Sequence, residues 1–203
     1  MTPRPPFDAA RLEALFGRLK HHDRIGLAVS GGADSLALMM LYAAWRPDGP
    51  KPDAIVYSVD HGLRAESAGE AAFVTALAAR YGLAARGLKW DGPYPETGIQ
   101  AAARSARYRL IGAAMAEDGA TVLLTGHQRD DQAETVLMRL AHGSGASGLA
   151  GMRRQAVVEG VAVVRPLLDC GREELAALVA AEGVAAIDDP SNANPAFERV
   201  RWR

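Results

Sequence analysis

The sequence predicts an α/β fold in which a mostly parallel sheet of five strands is covered by helices on both faces. Two observations carry that expectation. Short apolar, strand-like runs alternate along the chain with longer segments of helical periodicity. The residues able to do chemistry follow directly after those runs, at the carboxyl ends of strands, where open parallel sheets bind their ligands. A chain of 203 residues, 49% apolar, can bury a sizeable core. A formal net charge of -1 gives no whole-chain signature of a nucleic-acid partner.

Phe7, Leu12, Leu15, Phe16 and Leu19 mark a first helix, with Asp8 placed to cap it. Strand one is expected over 24–30, around the apolar run Ile25-Gly26-Leu27-Ala28-Val29, and a helix over 34–45. Pro47-Asp48-Gly49-Pro50-Lys51-Pro52 is loop chemistry. Strand two spans 54–59, and the helix after it, 66–81, ends at Tyr81-Gly82. A weaker strand three covers 85–90, and the loop Asp91-Gly92-Pro93-Tyr94-Pro95 leads into a long helix over 98–117. Strand four covers 121–125 and the next helix 129–142. Gly143-Ser144-Gly145-Ala146-Ser147-Gly148 reads as a flexible or ligand-facing loop. Strand five covers 161–164, and a last helix covers 173–181. No internal repeat is visible.

Cysteine usage and hydropathy exclude several classes. The lone Cys170 cannot form an internal disulfide framework, a paired-cysteine redox motif or a multi-cysteine zinc or iron–sulfur site. It reads as an inert small residue in a reducing, cytoplasmic setting. Met1-Thr2-Pro3-Arg4-Pro5-Pro6 is proline-rich without an apolar signal segment, and no apolar run approaches the roughly 20 residues of a membrane span. No membrane partner is expected.

Ser30-Gly31-Gly32-Ala33-Asp34-Ser35 lies between strand one and its helix. A strand, a tight glycine turn and a helix start aim backbone N–H groups and the positive end of a helix dipole at one spot, which suits phosphate. No lysine precedes Ser35, so this is not a Walker loop. Asp34 would repel phosphate without a cation between them and is therefore the expected magnesium ligand. The plain alternative is a tight turn with an acid near a helix start.

Gly126-His127-Gln128-Arg129-Asp130-Asp131-Gln132-Ala133-Glu134-Thr135 follows strand four. Asp130 and Asp131 suit a helix N-terminus on dipole grounds alone. Glu134 and His127 are less easily explained that way. Together they suggest a carboxylate pocket that grips an ammonium group or shares a metal, with His127 near a reacting phosphate; Arg129 could instead neutralise the acids. On the helix over 98–117, Arg104 and Arg107 share a face with Tyr108 beside them, an arrangement that either binds phosphate or is a solvated basic face. Near the end of the chain, Asp188-Asp189-Pro190-Ser191-Asn192 looks like turn chemistry. Arg199, Arg201 and Arg203 are either a nucleic-acid contact or a charged tail. His61, isolated after strand two, reads as structural.

With these blocks quoted, the chain resembles the PP-loop ATP pyrophosphatases and, within them, the tRNA(Ile)-lysidine synthetase family. The resemblance covers nearly the whole chain. It rests on the Ser30–Ser35 hexapeptide, on Val59-Asp60-His61-Gly62-Leu63-Arg64, and on Ala103-Arg104-x-x-Arg107-Tyr108. It continues through Gly126-His127-x-x-Asp130-Asp131-Gln132-x-Glu134-Thr135, Arg139-x-x-x-Gly143-Ser144-Gly145 and Gly148-Leu149. Arg165-Pro166-Leu167-Leu168, Asp189-Pro190-Ser191-Asn192, Arg199 and Arg203 complete it. The first hexapeptide is shared by several ATP-using families; the later blocks in this order are more specific.

The resemblance implies a Rossmann-like, adenine nucleotide alpha hydrolase-like fold of PP-loop type, occupying residues 1–203 as one catalytic domain. Residues 183–203 are expected to lead into a C-terminal region that relatives possess. It implies ATP as co-substrate on Ser30, Gly31, Gly32, Ala33, Asp34 and Ser35, with Mg2+ on Asp34. The wobble cytidine of an isoleucine tRNA with a CAU anticodon would attack the α-phosphate and release pyrophosphate. The amine of free L-lysine would then displace AMP. The implied catalytic residues are His127, Asp131, Glu134 and Arg104; Asp130, Asp131, Glu134, Arg107 and Arg199 would bind substrates. Where many relatives carry a second histidine this chain has Gln128, to which no essential role is given. A homodimer is compatible with the sequence but not specified by it. The rival readings are another PP-loop enzyme, such as a tRNA thiolase or an amide synthetase, and a nucleotide-binding module without catalysis. Thiolases commonly need paired cysteines, and a non-catalytic module would need no helix of carboxylates.

Overall fold

The computed structural model describes residues 7–62, 67–143 and 150–188. In chain order α1 (Ala9–Phe16), extended by a 3₁₀ turn (Gly17–Leu19), is followed by β1 (Arg24–Ala28), α2 (Ala33–Ala44), β2 (Asp53–Asp60), α3 (Ser67–Arg80) and β3 (Ala84–Lys89). Then come α4 (Ile99–Asp118), β4 (Leu123–Thr125), α5 (Arg129–Ala141), β5 (Gln155–Val158), β6 (Val161–Val164) and α6 (Arg172–Ala181). The strands form one sheet in the order β3-β2-β1-β4-β6-β5. Every pair is parallel except β5 with β6.

The sheet has six strands, not the five expected, because β5 and β6 make a hairpin. Val158 is in register with Val161, so Glu159-Gly160 is a two-residue turn. Both turn residues have positive φ, 49° and 79°, as a type I′ hairpin turn requires. Asn-Gly or Asp-Gly announces such a turn in a sequence; Glu-Gly does not.

Side-chain alternation along the strands divides the core. Ile25, Leu27, Val56 and Leu124 pack with residues of α1, α2, α3 and α6. Tyr57, Leu123 and Val163 pack instead with Tyr108, Ile111, Ala114 and Met115 of α4. The chain leaves β1 for β2 and β3 on one side and returns for β4 and β6 on the other. The β1/β4 boundary is therefore the switch point at which a cleft opens in such sheets.

The helix that starts at this boundary is α2, and it is held firmly. Residues 35–42 are all buried, as expected of a helix apolar on every side. At its far end Lys51 Nζ donates to the carbonyls of Tyr42 (2.6 Å), Trp45 (2.9 Å) and Ala43 (3.4 Å). It also lies 4.6 Å from the centre of the Tyr42 ring. A cation there satisfies orphan carbonyls and the negative end of the helix dipole. Lys51→Met keeps most of the stem and removes the donors, so it is expected to lower the unfolding free energy by about 1–2 kcal/mol. Denaturant titration reads this directly, and an unchanged midpoint would mean that water serves those carbonyls equally well.

Candidate active site

A cleft of about 720 Å³ lies at the β1/β4 switch point. One wall is the glycine turn between β1 and α2. Ser35 holds that turn together: its Oγ accepts from the Ser30 N–H (3.1 Å) and donates to the Gly32 carbonyl (2.9 Å). The N–H groups of Ser35 and Leu36 also go to the Gly32 carbonyl, at 3.1 and 3.0 Å. Ser35 is thus largely a brace, whereas the N–H groups of Gly31, Gly32 and Ala33 have no partner among the described residues. Asp34 stands in the first turn of α2 and lines the cleft. Among the described residues no three His, Cys, Asp or Glu side chains gather as a ready-made metal cage. A magnesium ion on Asp34 would complete its shell with phosphate oxygens and water, which is its common habit.

Two contacts that sequence reasoning missed fix the turn. The segment after α6 folds back over it, and the Ile187 N–H donates to the Gly31 carbonyl (2.9 Å). Gly31 has φ +91°, and a Cβ there would fall 2.3 Å from Ile187 Cδ1. Just after the neighbouring strand β4, Gly126 approaches the backbone of Asp34 and Ser35 so closely that no side chain fits.

The second wall is the loop after β4 and the start of α5. His127 lines the cleft, with Nδ1 2.8 Å from the Thr125 hydroxyl. Gln128, given no role from the sequence, is fully buried and is the N-cap of α5. Its Oε1 accepts from the Asp130 N–H, while Asp131 Oδ2 accepts from the Gln128 N–H at 3.0 Å, closing a capping box. Asp131 therefore supports its own helix and also faces the cleft. Glu134 is buried, but it does not form an open acidic pocket. Arg172 of α6 lies against it, with Nη2 3.1 Å from Oε1, and Arg172 Nε lies 3.8 Å from Asp130. Among the described residues Arg172 meets Glu134 and Asp130, while the guanidinium of Arg129 packs over Gly171.

The third wall is α4. Gln100, Arg104, Arg107 and Tyr108 all line the cleft. The guanidinium carbons of Arg104 and Arg107 lie 5.2 and 5.9 Å from the Tyr108 ring centre. Buried Arg165, just after β6, carries a third guanidinium into the same neighbourhood. Burial lowers the pKa of Arg107 and Arg165; the nearby Tyr108 partly offsets this, and the like charge of Arg104 adds to it. The Nε atoms of both are buried without a hydrogen-bond partner, and no acid among the described residues pairs with any of the three. Such a group of cations is suited to an anion. His61, expected to be structural, stands in the cleft wall 6.2 Å from Trp90, ring centre to ring centre. Cys170 is buried and its thiol is held protonated by burial, which matches an inert role. Leu63, Arg64, Ser144, Gly145, Gly148, Leu149, Asp189, Pro190, Ser191, Asn192, Arg199, Arg201 and Arg203 lie outside the described residues.

A parallel sheet, a glycine turn at its switch point and a cleft with separate anion-binding and acidic walls define a nucleotide-site α/β domain. The family model described as PP-loop domain matches residues 6–203, and the chain belongs to that family. Among curated relatives, the tRNA(Ile)-lysidine synthase of Rhodopseudomonas palustris is 51% identical over 203 residues, covering 100% of this chain and 59% of the relative. The protein of the same name from Bradyrhizobium diazoefficiens is 48% identical over 199 residues, covering 98% and 55%. The chain thus spans little more than half the length of these relatives. Among solved structures, the U34-tRNA thiolase NcsA from Methanococcus maripaludis has a TM-score of 0.71 at 18% identity, over 89% of this chain and 64% of that one. A phosphoadenylyl-sulfate reductase from Candida auris has a TM-score of 0.54 at 13% identity, over 87% and 81%. Likeness at such identities shows the fold alone.

Proposed function

We propose that this chain is the catalytic domain of a tRNA(Ile)-lysidine synthase, which attaches free L-lysine to the wobble cytidine of an isoleucine tRNA at the expense of ATP. The observation that carries this reading is one cleft with the glycine turn on one wall and the buried acid Asp131, at the start of α5, on another. The chain's identity of about half to enzymes of that name supports it. The setting proposed is the cytoplasm, where ATP, tRNA and lysine meet.

The chemistry follows from the groups present. The free N–H groups of Gly31, Gly32 and Ala33 would cradle the diphosphate that departs. Magnesium held by Asp34 would neutralise charge on that leaving group. Cytosine has one exocyclic oxygen, so that oxygen takes the adenylyl group and the bond to pyrophosphate breaks. The lysine amine then attacks the activated ring carbon, AMP leaves with the oxygen, and the amine gives up its proton. Arg104 and Arg107 would hold the AMP or tRNA phosphate through these steps. His127 would stand beside the reacting phosphate. Asp130, Asp131 and Glu134 would favour the cationic amino acid, and Arg199 would add a substrate contact.

The test uses the full-length enzyme that contains this chain. It is given ATP, Mg2+, unmodified isoleucine tRNA with a CAU anticodon and a set of labelled amino acids. Only lysine should become attached, with pyrophosphate and AMP formed in equal amounts. Attachment of another amino acid, or of none, would overturn the assignment. An enzyme of the thiolase type would attach no amino acid under these conditions.

A further inference from the structure

A cation stands among the acids of α5. Glu134 is only 4% exposed, and Arg172 stands over it and over Asp130. Arg172 opens α6, and Arg172 and Ala176, one turn apart, line the cleft with Ser30, His127 and Asp131. Glu134 itself lines none of it. The guanidinium side chain is 35% exposed, and its Nη1 makes no hydrogen bond among the described residues. A guanidinium is a planar fork that can be held by acids on one edge while offering another edge to a carboxylate.

A free amino acid is a zwitterion. A bare pocket of acids would attract its ammonium groups and repel its carboxylate, so selection of an amino acid over a simple amine needs a cation among those acids. Resting on the lysine-ligation reading above, we propose that Arg172 is the residue that recognises the amino acid's carboxylate. Glu134 and Asp130 aim its guanidinium, and its remaining edge receives the carboxylate. The cleft then distinguishes L-lysine from a diamine of similar length.

The test compares L-lysine with cadaverine, which keeps two amines and lacks the carboxylate, each as substrate or competitive inhibitor of the full-length enzyme. Arg172→Gln should raise the KM for L-lysine about 10- to 100-fold while the constant for cadaverine moves less than about twofold. Arg172→Lys should recover part of the preference, because it restores the charge without the fork. The ratio between the two ligands is its own control for damage to the fold. Equal losses for both would reduce Arg172 to a brace for Glu134. A lower KM for both would make it a plug that substrate must displace. Either result overturns the proposal, as does an unchanged KM for lysine. A wild-type enzyme that attaches no lysine ends the parent reading and this one with it; attachment that is indifferent to Arg172 ends this one alone.

Discussion

Asp34→Asn is expected to reduce pyrophosphate release by a hundredfold or more while leaving the melting temperature nearly unchanged. Asp34 is the acid in the first turn of α2 and faces the cleft beside the glycine turn. Its charge favours the helix dipole by about 0.3–1 kcal/mol, so losing it costs the fold little. Its larger effect would come through magnesium. A cation on a departing diphosphate stabilises the transition state by several kcal/mol, and about 3 kcal/mol corresponds to about a hundredfold in rate. The absence of a three-acid cage among the described residues adds a second expectation. Magnesium should bind weakly to the enzyme alone and tightly with ATP, because phosphate oxygens must supply much of the shell. Calorimetric titration with and without ATP reads that coupling. Wild-type turnover by the Asn variant at ordinary magnesium concentrations would remove Asp34 from the metal site.

What the sequence reveals here is what is local. The Ser30–Ser35 turn is visible because a strand, two glycines and a helix start are adjacent in the chain. Asp130 and Asp131 are visible because they follow a strand. Strand β5 is missed because four residues carry little periodicity and Glu-Gly is a poor advertisement for a left-handed turn. Gln128 looks replaceable until its side chain is seen capping α5. The remaining omissions are tertiary. Ile187 reaches Gly31 across 156 residues, a separation no pattern in the chain records. Arg172 meets Glu134 only because α6 packs beside the switch point. Arg165 follows β6 in the expected place, yet its burial beside Arg104 and Arg107 depends on the sheet order. The acids that spacing suggests as a carboxylate pocket therefore have a cation, Arg172, standing among them.

Two glycines of the site should fail in opposite ways when given a methyl group. At Gly126 a Cβ would lie 2.8 Å from the Asp34 carbonyl oxygen, 2.9 Å from its carbon and 3.0 Å from the Ser35 nitrogen. All three are backbone atoms, so no rotamer can yield, and relief requires β4 and the first turn of α2 to separate. Overpacking of this kind costs about 1–3 kcal/mol, which in a domain of this size lowers the melting temperature by about 3–10 °C. ATP affinity should fall as well, because the strand and helix that separate are the walls of the cradle. At Gly32 the nearest atoms to a Cβ are Ser30 Oγ at 3.8 Å and the Ile187 carbonyl at 4.0 Å, and φ is an ordinary -71°. The methyl fits the protein but occupies cleft space where a phosphate must approach the backbone. Gly32→Ala should keep its melting temperature within a few degrees, since an N-cap change from Gly to Ala costs about 1 kcal/mol or less, while ATP binding weakens by about tenfold or more. Thermal melts with and without ATP separate the two variants in one experiment. A stable Gly126→Ala protein would show that β4 and α2 can part without cost, and a Gly32→Ala protein that binds ATP normally would show that phosphate does not sit where the free N–H groups converge.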